Sequence, residues 1–410
     1  MFSGKLPFLW FAYIEYISGT DYFNIDIRPD GALPLTESLS DLIPLQPNLT
    51  EVNLLDPDFR YPRDWKSNIG IDWRASEDWN FGFDFSYTDV QQGLLFQTLN
   101  RTPSLSRFEG ADDRLFFDAE ASEQKISPSF TNVFSLTNTT QGFRYNATLK
   151  TERNDDHIYT SVSYSYGLSK DVSSTVRSSP AANFEWNQAI FGNAPELSFS
   201  NYDLRHKINI VQSFRWKLGG QDLLVSALYN GRSGSPYSFV YQGDLNRDGS
   251  SRNDLIFVPN DASQIQLVEI SDIQGNVVTP EQQWTQLDQY ISSIDYLDDN
   301  RGGFTERNGG KTPWNHSLDM KIEIKLNAHK KRNLTLSADI FNVLNLLNSN
   351  LGKQYFVPNV VNSSFSLLRF EGIDQQTPQF SFNVPLEQRP WIVDTFNSRW
   401  RIQFGAKLDF

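Results

Sequence analysis

The stretch SLDMKIEIKL (residues 317–326) alternates without a break. Leu318, Met320, Ile322, Ile324 and Leu326 fall on one side of an extended strand, and Ser317, Asp319, Lys321, Glu323 and Lys325 on the other. A soluble sandwich strand would bury the first set and wet the second. A transmembrane barrel strand would turn the first set to lipid and the second to a watery lumen. Burying Asp, Lys, Glu and Lys in protein is costly, whereas a water-filled lumen tolerates them and neighbouring strands can pair them. The same period recurs in DWNFGFDFSY (78–87), FRYNATLKT (143–151), HIYTSVSYSYGL (157–168) and NLTLSADI (333–340). It recurs again in the last eleven residues, WRIQFGAKLDF, where Trp400, Ile402, Phe404, Ala406, Leu408 and Phe410 share a face.

Run length and break spacing separate the two architectures. Soluble strands cluster near 5–6 residues, and a tilted bilayer-crossing strand needs roughly 9–11, a length that several of these runs reach. Tight polar turns, RASED (74–78), ERNDD (152–156), KLGGQ (217–221) and NAHKKR (327–332), alternate with long connections near 29–65, 100–130, 170–203, 243–313 and 345–362. Long structureless loops count against a compact soluble domain. Short turns on one side and long loops on the other are the asymmetry of outer-membrane barrels. The pattern predicts about twelve strands, near 9–28, 66–75, 79–99, 131–152, 156–169, 204–217, 221–242, 314–327, 332–344, 363–371, 377–384 and 397–410. The expected fold is therefore all-β, an antiparallel transmembrane β-barrel, with residues 1–410 as a single barrel region and 243–313 as its longest extracellular loop. A sandwich or propeller would show short strands and even loops, and no blade-length repeat is present.

Composition narrows the function classes. Cysteine is absent, which excludes disulfides and zinc–thiolate sites. A net charge of −13, from 49 acidic and 36 basic residues, argues against a nucleic-acid partner. With 31 Phe, 16 Tyr and 10 Trp the chain is aromatic-rich, yet mean hydropathy is −0.46, as expected when apolar residues are spaced singly between polar ones. No apolar run reaches the ~20 residues of a membrane-spanning helix. No signal peptide opens the chain, so an exported protein would carry its export signal upstream. Trp73, Trp79, Trp216, Trp314 and Trp400 fall near expected strand ends, where rings suit a membrane interface.

Chemistry-bearing motifs are few. His157, His206, His316 and His329 have no metal-ligand spacing, and no Ser-His-Asp set, P-loop or dinucleotide fingerprint occurs. No enzymatic activity is expected. GDLNRDGSSRND (243–254) opens like an oxygen-ligand calcium loop: Asp244, Asn246 and Asp248 at positions 1, 3 and 5, Gly249 at 6 and Ser250 at 7. Leu255 stands where the acid at position 12 belongs, and Asp254 is its nearest substitute. A polar Asx-rich turn without an ion is the alternative. The stretch 297–310, Gly-rich and charged, reads as a mobile loop. Trp284, Tyr290, Arg301 and Arg307 in the same long connection are the residues that could touch a ligand, ordinary loop packing being the alternative.

Five segments carry a resemblance: LLDPDFRYPRDWKSNIGIDW (54–73), YDLRHKINI (202–210), GDLNRDGSSRNDLIFVP (243–259), ADIFNVLNLLNS (338–349) and SRWRIQFGAKLDF (398–410). Together and in order they resemble the C-terminal barrel portion of a TonB-dependent outer-membrane receptor, of the Oar-like, Bacteroidetes type. The resemblance implies a Gram-negative outer-membrane location and uptake or export of a substrate. It also implies a TonB complex acting through a plug that this chain lacks. Outer-membrane lipid, the barrel-assembly machinery and an extracellular lipoprotein or substrate partner are further implied, with Trp400, Phe404 and Phe410 as the terminal assembly signal. Barrels of that family have 22 strands, so the chain reads as a fragment or one piece of a split receptor. Half a barrel leaves two open edges and cannot sit in lipid alone. A non-transporting barrel or adhesin that binds a partner through its loops is the second reading, and a secreted soluble β-protein the third.

Overall fold

The computed structural model describes residues 2–3, 50–118, 124–272, 274–327, 333–358 and 363–409. Nine long strands form an antiparallel meander. They are β1 (Arg63–Arg74), β2 (Trp79–Thr98), β3 (Gly142–Asn154), β4 (Ile158–Asp171), β5 (His206–Leu218), β6 (Gln221–Arg232), β7 (Asn315–Asn327), β8 (Asn333–Phe341) and β9 (Arg401–Asp409). Each pairs with the next in chain order. Among the described residues the sheet is open: β9 pairs with β8 alone, and β1 is flanked by the two-residue strand Phe2–Ser3.

The connections alternate as the sequence predicts. At one end the turns are tight. Asp155 Oδ1 accepts from the His157 and Ile158 amides at 2.8 and 2.7 Å, closing β3 onto β4. Gly219 and Gly220, with φ of 57° and 80°, form the two-residue turn between β5 and β6. Two consecutive positive φ angles match the right-handed twist of a hairpin, and glycine adopts them without strain. At the other end run the long connections 99–141, 172–205, 233–314 and 342–400.

The cross-strand register sorts side chains into two continuous faces. Ile71, Phe83, Leu149, Tyr164 and Ile208 stand opposite one another across β1 to β5. Val225, Ile322, Ala338 and Phe404 continue the apolar face across β6 to β9. On the reverse face Gly82, Lys150, Ser163, Asn209, Asn230 and Ser317 form one row. Ser213, Ser226, Lys321, Asp339 and Gln403 form another. The first apolar row leaves β1 near its short-turn end and meets β5 near its long-loop end, the stagger that tilts strands in a barrel wall. No described residue covers the apolar face: Ile71 is 58% and Phe404 80% exposed. A soluble sandwich would bury these residues.

Three expectations about strands change. The region 131–152 is two strands, Phe130–Thr139 outside the wall path and then β3, with Gly142 at φ 145° between them. The region 221–242 also divides after Arg232, and Pro236–Gln242 joins a separate five-stranded sheet. Gly234 permits the departure, since a Cβ there would lie 1.6 Å from the Thr312 carbonyl oxygen. The pair near 363–384 is the hairpin Ser364–Asp374 and Thr377–Ser381 in that same sheet, outside the wall. Its alternation serves a protein core, as Leu367, Leu368 and Phe380 are buried. The wall thus has nine described strands where about twelve were expected; the expected strand at 9–28 lies outside the described residues.

The long connections fold together into a cap with its own core. Phe108 and Phe116 from the first long connection, Phe239 and Leu287 from the third, and Leu368 and Phe382 from the fourth belong to one cluster. The second long connection contributes the short helix α1 (Pro180–Glu185), whose Phe184 packs with Phe96, Phe134 and Leu136. Helix α2 (Pro280–Ser292) starts at a capping box of Thr279 and Gln282, with Pro280 in the first turn. It buries Gln283, Leu287, Tyr290 and Ile291, the i, i+4, i+7, i+8 stripe of an amphipathic helix. Helix α3 (Asp295–Asp299) follows and buries Leu297.

Candidate binding site beneath the loop cap

The polar face of β1 to β5 and the connection 172–205 line an open cavity of about 850 Å3. Asp64, Ser86, Thr88, Arg144, Asn146, Ser165 and Lys207 line it from the wall, and Thr175, Tyr202 and Asp203 from the connection. Strand alternation delivers the wall residues, because every second side chain of five neighbouring strands faces the same side. The cavity carries both signs of charge, and Arg144 pairs with Asp64 at 2.9 Å. Hydroxyl and amide groups fill the space between. Such a lining offers many hydrogen bonds and no nucleophile–base pair.

Its rim is held by a charged cluster around one ring. Lys170 Nζ, the Arg205 guanidinium carbon and Lys311 Nζ lie 4.3, 4.9 and 5.3 Å from the centre of the Phe199 ring. Asp203 accepts from Lys311 at 2.9 Å, from Arg205 at 3.1 Å and from the Ser169 amide at 2.9 Å. Burial opposes its charge, but the Lys311 hydrogen bond and the nearby cations together hold its pKa below the usual carboxylate value. Burial likewise lowers the Lys311 pKa, against the pull of Asp203. The Asp-x-Arg-His run at 203–206 thus fixes where the wall strand meets the cap.

Aromatic rings collect at both ends of the apolar face. Near the short turns Trp73 and Trp79 each stack on Phe81, at 5.5 and 5.9 Å, and Phe214 stacks on Trp216 at 5.3 Å. Near the cap, His206 and His316 both stack with Trp314, at 5.7 and 5.8 Å. The Nδ1 atoms of these histidines hydrogen-bond to the Tyr164 and Tyr229 hydroxyls at 2.8 and 2.7 Å. Trp400 is 46% exposed just before β9, and Phe404 projects from the apolar face; Phe410 lies outside the described residues.

The four loop residues considered for ligand contact have packing roles. Tyr290 is 0% exposed and faces Phe365 and Phe382 in the cap core. Trp284 packs partly buried against the same core. Arg301 pairs with Asp288 and Asp298, both at 2.8 Å. Arg307 is 1% exposed and bonds to Asn187 and Asp171. The stretch 297–310, expected to be mobile, holds the end of α3 and the strand Gly303–Phe304, paired with Phe257–Val258. Helix spacing and local apolar residues could have suggested these roles; Arg301 pairs within its own stretch of chain, whereas the partners of Tyr290 and Arg307 lie far away in sequence.

The aspartate loop at 244–254 is deep in the cap. Asn246 is 0%, Asp248 1% and Asp254 0% exposed. Asp254 belongs in part to another network: its Oδ1 lies 3.6 Å from Arg114, whose Nε bonds to Asp112 at 2.8 Å. Arg114 is fully buried and lies against the Tyr241 and Phe304 rings. Sequence reading missed this arginine, whose only signal was a charged pair inside an aromatic run, DDRLFF (112–117). Among the described residues, no three His, Asp or Glu side chains stand close enough to hold a metal by themselves.

No protein-family profile matches the chain, and no curated protein matches it in sequence. Similar solved structures include BauA, the ferric preacinetobactin receptor of Acinetobacter baumannii, at 8% identity and TM-score 0.35, over 75% of this chain and 28% of that one. The FrpB iron transporter of Neisseria meningitidis (F3-3 variant) matches at 9% identity and TM-score 0.31, over 72% and 29%. The outer membrane transporter YddB of Escherichia coli matches at 12% identity and TM-score 0.37, over 72% and 30%. The chain spans less than a third of the length of each.

Proposed function

We propose that this chain is part of the wall and the outer cap of a β-barrel receptor in the Gram-negative outer membrane, of the TonB-dependent, Oar-like kind. The observation that carries the reading is the wall itself: nine long antiparallel strands with an uncovered apolar face, a charged reverse face, and short turns opposite long connections. Only lipid stabilises such an apolar face, and only water or a polar filling suits the other. The aromatic rings at both ends of the apolar face support it, since they sit where lipid headgroups would. Among the described residues no helix is long and apolar enough to cross a membrane.

In this reading the cavity under the connection 172–205 is the first polar chamber a ligand meets inside the cap. Its hydroxyl, amide and mixed-charge lining favours a polar, hydrogen-bonding solute. Energy from a TonB complex would act through a plug that belongs to the rest of the receptor, and the barrel-assembly machinery would insert the wall by way of β9. The alternative is a barrel that transports nothing and binds a partner, lipoprotein or surface glycan through the cap. The packed cap core favours that reading to the extent that it makes a rigid outer surface.

The test is expression with whatever precedes the chain in its reading frame, followed by fractionation and gel migration with and without heating. Outer-membrane fractionation and heat-modifiable migration are expected. A chain that is monodisperse without detergent would overturn the barrel reading. A plug encoded upstream separates receptor from adhesin.

A further inference from the structure

We propose that the loop at 244–254 binds one calcium ion, which staples three of the cap's connections together. Within the loop Asp244 Oδ2 accepts from the Gly249 amide, Asn246 Oδ1 from Asp248 and Asp248 Oδ1 from Ser250, each at 2.9 Å. Those bonds shape the turn and would exist without an ion. What points to a ligand is the set of oxygens they leave over. Asp244 Oδ1, Ser250 Oγ, Asn253 Oδ1 and Asp254 Oδ1 are buried with no hydrogen-bond partner. Asn253 is 1% and Ser250 5% exposed. Asn253 Nδ2 donates to Asp248 Oδ2 at 2.9 Å, which fixes the amide so that its oxygen is the unpartnered atom. Buried acceptors without donors are rare in native proteins. Asn246 Nδ2 is an unpartnered donor in the same loop, and Asp254 Oδ1 faces Arg114 Nη1, so the oxygens of Asp244, Ser250 and Asn253 are the three left for a shared cation.

The chemistry of the donors selects the ion. All are oxygens, from carboxylate, amide and hydroxyl groups, a hard set that suits calcium over zinc, copper or iron. Because no three acidic side chains converge, neutral oxygens and backbone carbonyls must complete the shell, as calcium's large, flexible coordination allows and magnesium's strict octahedron does not. Asp254 contributes least, since Arg114 already faces the same oxygen. Asp248 is 1% exposed, and a bound cation would offset the cost of burying its charge.

Occupancy would matter beyond the loop. Arg101 Nε donates to the Asp248 carbonyl at 2.9 Å, and the Phe117 amide to the Asn246 carbonyl at 3.0 Å. The Ala189 amide donates to the Asn253 carbonyl at 2.8 Å, and a Cβ on Gly192 would lie 2.6 Å from Asp248 Oδ2. The regions 101–117, 189–192 and 244–254 therefore meet at this point.

The test is calorimetric titration of the full chain, in detergent and stripped with EGTA, with calcium chloride up to about 10 mM, roughly tenfold above the ~1 mM weak end of extracellular calcium sites. One saturable site is expected, with a higher melting temperature and slower proteolysis of the cap. Asp244→Asn keeps an acceptor for Gly249 and should weaken binding at least about tenfold. Ser250→Ala removes an unpartnered oxygen without breaking a bond, and serves if the first variant fails to fold. Absence of saturable binding and of any thermal shift in the parent chain would overturn the proposal. So would an equal response to magnesium, or unchanged affinity in the variants that fold. None of these outcomes depends on whether the wall sits in a membrane.

Discussion

Arg307 reaches across 136 positions to Asp171 at the cap end of β4, where its Nη2 donates to both the Asp171 carbonyl and its carboxylate at 2.5 Å. Nη1 donates to Asn187 Oδ1 at 2.7 Å, so one buried guanidinium ties the third long connection to the wall and to the second. Replacing a buried ion-pair partner costs ~3–5 kcal/mol, and the partial exposure of Asp171 brings this toward ~2–3 kcal/mol. Arg307→Met is expected to speed proteolysis within 233–314 while the wall stays protected. Unchanged cleavage would show that the anchor contributes nothing to cap stability.

Tyr290 gives a prediction of opposite sign. It is fully buried, and its hydroxyl has no partner. Tyr290→Phe should leave stability unchanged or raise it by ~1 kcal/mol, because an unsatisfied polar group is removed. Tyr290→Ala should cost ~3–5 kcal/mol, as a large ring leaves a cavity. Thermal melts of both variants check this. A destabilised Phe variant would reveal a partner for the hydroxyl.

The two faces of β9 should answer differently to the same charge. Phe404 lies opposite Ala338 on the apolar face, and Gln403 lies opposite Asp339 on the polar face. If the apolar face meets lipid, Phe404→Arg costs ~2–4 kcal/mol near the bilayer midplane. Gln403→Arg, free to pair with Asp339, should change stability by less than ~1 kcal/mol. Denaturant titration of the chain expressed with whatever precedes it in its reading frame and folded into lipid vesicles, read by heat-modifiable migration, measures both. Equal penalties would count against the assignment of faces.

The aspartate loop predicts how pH and calcium interact. Burial raises the pKa of Asp244 to about 7 and of Asp248 to about 6, from an ordinary 3.8, and raises that of Asp254 as well. A carboxyl whose folded pKa is raised binds more protons folded than unfolded, so it favours the fold at low pH. Without calcium, this loop's contribution to cap stability should therefore fall as pH rises from about 4 to about 7. Arg101 and Arg114 oppose the loss and Asp112 adds to it, through their charges near the loop. With saturating calcium the decline should vanish, and calcium affinity should drop below pH ~6, where protons compete for the same oxygens. Melting curves at several pH values with EGTA or calcium check the sign; a calcium effect that grows on acidification would contradict it.

The amino-acid order alone determined the wall. Period-two runs such as 317–326 and 78–87 fix which side chains share a face, because strand geometry leaves no other choice once the chain is extended. Their length and the alternation of tight turns with long connections then set the meander. The identity of the cap was beyond reach of that reasoning. The runs at 236–242 and 364–381 alternate much as wall strands do, and only tertiary pairing sends them into a separate sheet, with Gly234 letting the backbone pass against Thr312. Tyr290, Arg301 and Arg307 looked like free loop residues because their partners, Phe365, Asp288 and Asp171 among them, are set by how the connections pack. The same holds for the unpartnered oxygens at 244–254. Spacing suggested a calcium loop, and only the depth at which the cap buries it takes those oxygens out of water, which is the ground on which an ion is proposed there.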